Sequence, residues 1–196
     1  KGGIPEWFIE SCQKIKYLFP RAHATAYVMM AFRIAFCKVH YPLAYYAAYF
    51  SIRAAEFDAN VIARGKDYVG KCIADLDRTA KEKGKLDAKQ NATLIVLQLA
   101  WEMYLRGYSC EHVDLYESDA EKFIIHEKSL LPPIASLAGM GQKAAEAIAE
   151  ARQDGEFTSI ENLRLRTGIS KTNIEILRDH GCLDGMSESD QMVLFS

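Results

Sequence analysis

The sequence predicts a mainly α protein with a small β element: a helical lobe, then a strand element, then two further helical hairpins, then a flexible tail. Three observations carry that reading. Apolar residues recur at helical spacing over most of residues 5–106, short β-prone pieces replace them over 112–135, and Gly139-Met140-Gly141 opens an amphipathic helix. With 196 residues and 49% hydrophobic content, the chain can bury a real core in more than one lobe.

Taken in order, residues 5–17 read as a helix broken by Phe19-Pro20, and 22–36 as a second with Tyr27, Met30 and Ile34 at helical spacing. Tyr41-Pro42 breaks it. Residues 43–52, rich in Ala and aromatics, read as a helix buried on most sides. Residues 58–83 and 88–106 read as two longer helices joined by a Lys-Gly-Lys turn, with Gly107 ending the second. The strand candidates are 112–116, 122–126 and 130–134, and Pro132-Pro133 confines the last to an edge or loop. After Gly141, Ala144, Ala145 and Ile148 form a packing face. A short helix begins at Ser159 and turns at Thr167-Gly168-Ile169-Ser170. A further helix covers 171–180, with Ser170 as N-cap and Ile174 and Leu177 facing inward.

Charge and composition narrow the partners. The net charge is −2, yet residues 1–53 carry seven Lys/Arg against two Glu, for +5, leaving −7 on the rest. The N-terminal lobe is therefore the one expected to face polyanions. The apolar stretch 24–50 is interrupted by Arg33, Lys38 and His40, so no membrane partner is expected. Five cysteines with no Cys-x-x-Cys and no signal peptide indicate a reducing cytoplasm, no structural zinc, and inert core or surface thiols. A start at Lys1 without Met reads as a piece of something longer.

The chemistry concentrates in three places. At the first, glycines 139 and 141 are expected to permit positive φ and close approach of an anion, while the helix after them points free N–H groups and its positive dipole end at the same spot. Gln142 and Lys143 lie in its first turn. A second copy, with Ser170 in place of the second glycine and Lys171 next to it, follows about thirty residues on. Residues 136–185 resemble a tandem helix-hairpin-helix module, which grips duplex backbones without reading sequence; the first hairpin matches well and the second is degenerate. At the second place, Pro20 sets a helix start with Arg21 and His23 in its first turn, which on chemistry alone reads either as an anion pocket that suits a triphosphate or as solvated cations beside a surface histidine.

Lys14-Ile15-Lys16-Tyr17-Leu18-Phe19-Pro20-Arg21-Ala22-His23-Ala24, with Ala26-Tyr27-Val28 and Lys38-Val39-His40-Tyr41-Pro42-Leu43-Ala44-Tyr45-Tyr46, resembles the fingers of C-family bacterial replicative DNA polymerases. The fit is best to the PolC type of the DNA polymerase III alpha subunit. It extends through the middle helices, the strand element and the hairpins. The resemblance implies a fingers core over 1–55, a helical fingers extension over 56–110, a small strand element over 111–136, a duplex-binding module over 137–185 and a tail over 186–196. It implies that Arg21 and His23 lie over the incoming deoxynucleoside triphosphate, with Tyr27 one turn on near the nascent base pair. Family members commonly carry Lys where this chain has Arg21. The family's two-metal chemistry uses Mg2+ held by palm carboxylates that would precede Lys1, so this chain is expected to be inactive alone. Asp75-Leu76-Asp77 imitates the palm's Asp-x-Asp but falls in a helix, where residues two apart point to different sides.

The third place is the tail. Gln191-Met192-Val193-Leu194-Phe195 closely resembles the sliding-clamp-binding pentapeptide, with Gln191, Met192, Leu194 and Phe195 as its anchors. Residues 187–190 are polar and are expected not to pack. The expected partners are primer-template duplex DNA, a deoxynucleoside triphosphate, the beta sliding clamp and the remainder of the polymerase chain, in a bacterial, nucleoid-associated, cytoplasmic setting. Two other classes compete: a non-enzymatic helix-hairpin-helix module of a repair or recombination protein, and a plain helical scaffold with no DNA affinity.

Overall fold

A computed structural model describes residues 3–14, 21–53 and 55–190. The chain forms two units, residues 1–41 and 42–196. In the first, α1 (Glu6–Lys14) and α2 (Arg21–His40) bury none of their described residues. α2 runs beyond the predicted 22–36 because nothing in 37–40 interrupts it, and the Tyr41 N–H still donates to the Cys37 carbonyl at 2.8 Å. Val28, Met29, Met30 and Phe32 are all exposed, and their positions leave this helix without a distinct polar face.

The second unit opens with α3 (Pro42–Ile52), where Pro42 occupies a first-turn position whose N–H would have had no helical acceptor. The aromatic-rich sequence suggested burial on most sides; instead one stripe, Leu43, Tyr46 and Phe50, is buried while Ile52 is exposed. The single helix predicted over 58–83 is two. Asp58 caps α4 (Ala59–Ile62) by accepting from the Asn60 N–H at 2.9 Å, and Gly65, at φ +93°, separates it from α5 (Lys66–Lys83). α6 (Ala88–Leu105) begins with a reciprocal capping box, Asp87 accepting from the Gln90 N–H while the Gln90 side chain accepts from the Asp87 N–H. It packs on α5.

The β element is smaller than predicted and lies differently. β1 (Ser109–Cys110), β2 (Ile124–Ile125) and β3 (Ser129–Leu131) form one sheet in the order β1-β3-β2, with β3 parallel to β1 and antiparallel to β2. β3 is therefore central, not at an edge. Pro132 and Pro133 permit this because they follow the last ladder residue, so no ladder N–H is missing. Residues 112–116 are not a strand. Val113 and Leu115 are buried on either side of exposed Asp114, which is the alternation that suggested one, but their backbone is held by side chains. The Val113 N–H donates to His180, and the Leu115 carbonyl accepts from Arg152 at 2.9 Å.

A 3-10 turn (Ile134–Ser136), α7 (Gln142–Ala151), a second 3-10 turn (Arg152–Asp154), α8 (Ile160–Thr167) and α9 (Lys171–Asp179) complete the unit. Ala145 and Ile148 of α7, Leu163 of α8, and Ile174 and Leu177 of α9 are buried in a core continuous with Phe50, Phe57 and Leu130.

Candidate nucleic-acid interface

Each hairpin turn is built from a glycine, a buried apolar residue and an N-cap. In the first, the Met140 N–H donates to the Leu137 carbonyl at 2.9 Å, and Leu137 and Met140 are both buried, anchoring the turn from below. Gly139 sits at φ +87°, and a Cβ there would meet Ile176 Cδ1 of α9 at 3.1 Å. The conformation demands glycine, and a larger residue would also need Ile176 to shift by a few tenths of an ångström. Gly141 differs from the expectation: it is extended, at φ −78° and ψ 149°, a conformation open to any residue.

The second turn repeats the path. Gly168 is at φ +67°, Ile169 is buried, and Ser170 caps α9 at φ −71° and ψ 161°. Ser170 Oγ accepts from the Asn173 N–H at 3.2 Å, whereas α7 has no side-chain cap. The glycine-to-serine change thus leaves the backbone of the turn as it is in the first hairpin and adds a hydroxyl. The hairpins are unequal at their leading helix, a three-residue 3-10 turn in the first and the eight-residue α8 in the second.

Of the six basic residues in 136–185, three are engaged within the protein. Arg152 donates to the Leu115 carbonyl, and Arg166 donates to the carbonyls of Ala151, Gly155 and Glu156 while lying 4.6 Å over the Phe157 ring. Arg178 pairs with Glu188 at 2.6 Å. Lys143 and Lys171, adjoining the two turns, and Arg164 form no ion pair with a described residue. Gln142 Nε2 donates to Glu146 Oε1 at 3.1 Å. A groove of about 720 Å³ runs between α8 and α9, lined by Arg164, Lys171 and Arg178 together with Glu161, Glu175 and Glu188. From the sequence Arg164 counts only as one of the six basic groups of 136–185, because its position says nothing of the groove that it lines.

Arg21, His23 and Tyr27 lie exposed in the first two turns of α2. The His23 and Tyr27 rings are 4.5 Å apart, edge to face, and the Thr25 hydroxyl donates back to the Arg21 carbonyl at 2.9 Å. The 15–20 part of the quoted motif lies outside the described residues, as do Gln191, Met192, Leu194 and Phe195. Of residues 187–190, expected to be unpacked, Ser187, Glu188 and Ser189 are hydrogen-bonded to the start of α8. The carbonyls of Ser187 and Glu188 accept from the Ile160 and Glu161 N–H groups at 2.9 and 3.1 Å, and Ser189 Oγ donates to the Glu161 carboxylate at 2.6 Å. Polar side chains do not prevent this, since the backbone carbonyls satisfy otherwise unpaired donors at the start of α8.

Asp75-Leu76-Asp77 lies within α5, where Asp75 is paired with Arg78 at 2.7 Å on an exposed face. Among the described residues no group of His, Cys, Asp and Glu could hold a metal ion, so the residues present do not fit a Mg2+ site. No helix among them is long and apolar enough to cross a membrane. Burial pushes the Cys110 thiol well up and the Cys182 thiol up to about 12, so both stay protonated.

The hairpins define a class before the whole chain defines a family: residues 107–192 match the helix-hairpin-helix motif. Over its full length the chain is 53% identical to DNA polymerase III PolC-type of Caldanaerobacter subterraneus subsp. tengcongensis, covering 14% of that protein. It is 49% identical over 194 residues to that of Bacillus subtilis and 47% over 192 residues to that of Thermotoga maritima, with 98% of this chain matched in each and 13% and 14% of those proteins covered. The chain belongs to the PolC-type DNA polymerase III family and spans about one seventh of the length of these relatives.

Proposed function

We propose that this chain is the part of a replicative DNA-dependent DNA polymerase that binds duplex DNA behind the site of synthesis, contacts the incoming nucleotide and tethers the enzyme to its clamp. Duplex binding has the strongest support, and one observation carries it. Two turns of different sequence lead into helices whose opening N–H groups, those of Gln142 and Lys143 in one and Lys171 and Thr172 in the other, are left to meet a phosphate, with Gly139 and Gly168 at positive φ. A Cβ at Gly141 would meet nothing within 4 Å, so the protein's own packing gives no reason for glycine there; an approaching phosphate does. With only three uncommitted cations in the module, binding is weak and depends steeply on salt. Titrating random-sequence duplexes from 50 to 200 mM salt tests this. A slope corresponding to a few released counterions is expected, and a salt-independent or strongly sequence-selective affinity would contradict it.

The finer roles follow from the family resemblance. Arg21 and His23 stabilise the triphosphate and Tyr27 packs near the nascent pair, with Mg2+ supplied by palm carboxylates outside this chain. In a full-length polymerase, Arg21→Ala or His23→Ala should weaken nucleotide use by about 1.5–3 kcal/mol at unchanged DNA affinity. Unaltered steady-state kinetics would remove the assignment. Gln191, Met192, Leu194 and Phe195 dock on the beta clamp as an extended peptide, and deleting residues 191–196 should abolish clamp binding and shorten processive runs. Clamp binding at full affinity after the deletion would refute this role. Nucleoid association would follow from DNA binding.

A further inference from the structure

His180 caps the C-terminus of α9 and is buried, 9% exposed. Both ring nitrogens are engaged. The Val113 N–H donates to Nε2 at 2.9 Å, so Nε2 carries no proton. A neutral imidazole has one N–H, which must then sit on Nδ1, and Nδ1 lies 2.7 Å from Asn60 Oδ1, the acceptor it meets. Asn60 is itself fixed at the start of α4, where its backbone N–H donates to Asp58. Two residues after His180, the Cys182 thiol donates to the Val113 carbonyl at 3.2 Å. The same peptide segment is thus held through its N–H and through its C=O.

Three segments 67 and 120 residues from His180 or carrying it therefore meet on one ring: α4, the 112–118 segment and the end of the second hairpin. Nothing in the duplex-binding reading uses this ring directly. The geometry points to His180 as the positioning residue that fixes the second hairpin on the helical lobe, so that the 168–170 turn meets a duplex in one orientation. This role rests on the duplex-binding reading. The surroundings favour the neutral ring: burial first, then His112, whose ring is 5.1 Å away, and Arg64 hold its pKa down at about 4. Asp114 and Asp184 lie beside Cys182, and neither hydrogen-bonds the imidazole.

The test compares the 196-residue chain with His180→Phe, His180→Gln and, as a stability control, Met103→Ala, a buried α6 position far from the ring in sequence. Glutamine carries a donor and an acceptor two bonds apart, as the two ring nitrogens do; phenylalanine carries neither. At a temperature where all are folded, His180→Phe should exchange the Val113 amide at least about tenfold faster and bind duplex about tenfold more weakly. His180→Gln should keep most of both, and Met103→Ala should keep duplex affinity despite its lower Tm. A His180→Phe protein with wild-type affinity, or loss in Met103→Ala equal to that in His180→Phe, would overturn the positioning role. Wild-type affinity in Gly141→Val would instead remove the duplex-binding reading and leave Val113 exchange as the test of the pin. Should His180→Phe fail to fold, nitrogen NMR of the wild-type ring decides: an Nδ1-protonated tautomer that resists protonation to about pH 4 supports the pin, and an Nε2-protonated ring refutes it.

Discussion

The two hairpin turns reach the same backbone by different residues. Gly139-Met140-Gly141 and Gly168-Ile169-Ser170 share a positive-φ glycine, a buried apolar middle residue and an extended N-cap, yet only the first position of each demands its residue. The third is bare glycine in one and a capping serine in the other. Motif degeneracy at that position is therefore not structural degeneracy. Strain fixes the first position, while the third is open to whatever the ligand tolerates.

The difference can be broken first at the strained position. Gly139→Val puts a β-branched residue at φ +87° with Ile176 3.1 Å from its Cβ, and should lower unfolding stability by about 2–4 kcal/mol in a denaturant titration. Gly168→Val has strain without the clash and should lose less, about 1–3 kcal/mol. Equal losses at both would mean that Ile176 moves aside freely.

Acid separates the hairpins next, because only the second ends on a buried histidine. His180 has a folded pKa of about 4 against 6.5 for an ordinary histidine. The unfolded chain therefore takes up the proton first, so the stability is complete above pH 6.5 and falls as pH drops from 6.5 to 4, by about 3 kcal/mol in all. Amide exchange in α9 and at Val113 should rise over that window while α7 lags. Uniform acid loosening of both hairpins would count against the pin.

The cap gives the smallest effect. Ser170→Ala removes the acceptor for the Asn173 N–H and should lower stability by about 1 kcal/mol, whereas Ser170→Gly, which restores the residue type of the first hairpin, should lower it by only a few tenths. Thermal unfolding of the two variants side by side measures the difference. A Ser170→Gly loss as large as that of Ser170→Ala would mean the hydroxyl does more than cap.

Much of this was legible locally. The cap at Ser170, the helix start by Ser159, the break before Pro42, the inward face of Ile174 and Leu177, and the helical setting of Asp75 and Asp77 all follow from patterns a few residues long. What escaped were features set by distant partners. The 112–116 segment has strand-like alternation, but its hydrogen bonds come from Arg152 and His180, which no local pattern reveals. Arg152, Arg166 and Arg178 count as free positive charge in a composition and as internal donors in the fold. Residues 187–190 look solvated because their side chains are polar, yet the Ser187 and Glu188 carbonyls close the start of α8. Of the site, the turns and their glycines were legible; that Gly141 is unstrained was not, since φ at a glycine is set by the turn it completes.

That last point yields the most direct measurement. Of the turn glycines 139, 141 and 168, Gly141 is the one where a side chain fits the protein without strain or clash, so duplex affinity of Gly141→Val against wild type isolates the ligand's demand from the fold's. If these turns grip phosphates through bare backbone, the variant should keep stability to within about 1 kcal/mol and bind random-sequence duplex at least about tenfold more weakly at the same salt. Equal affinity, with folding intact, would contradict the account.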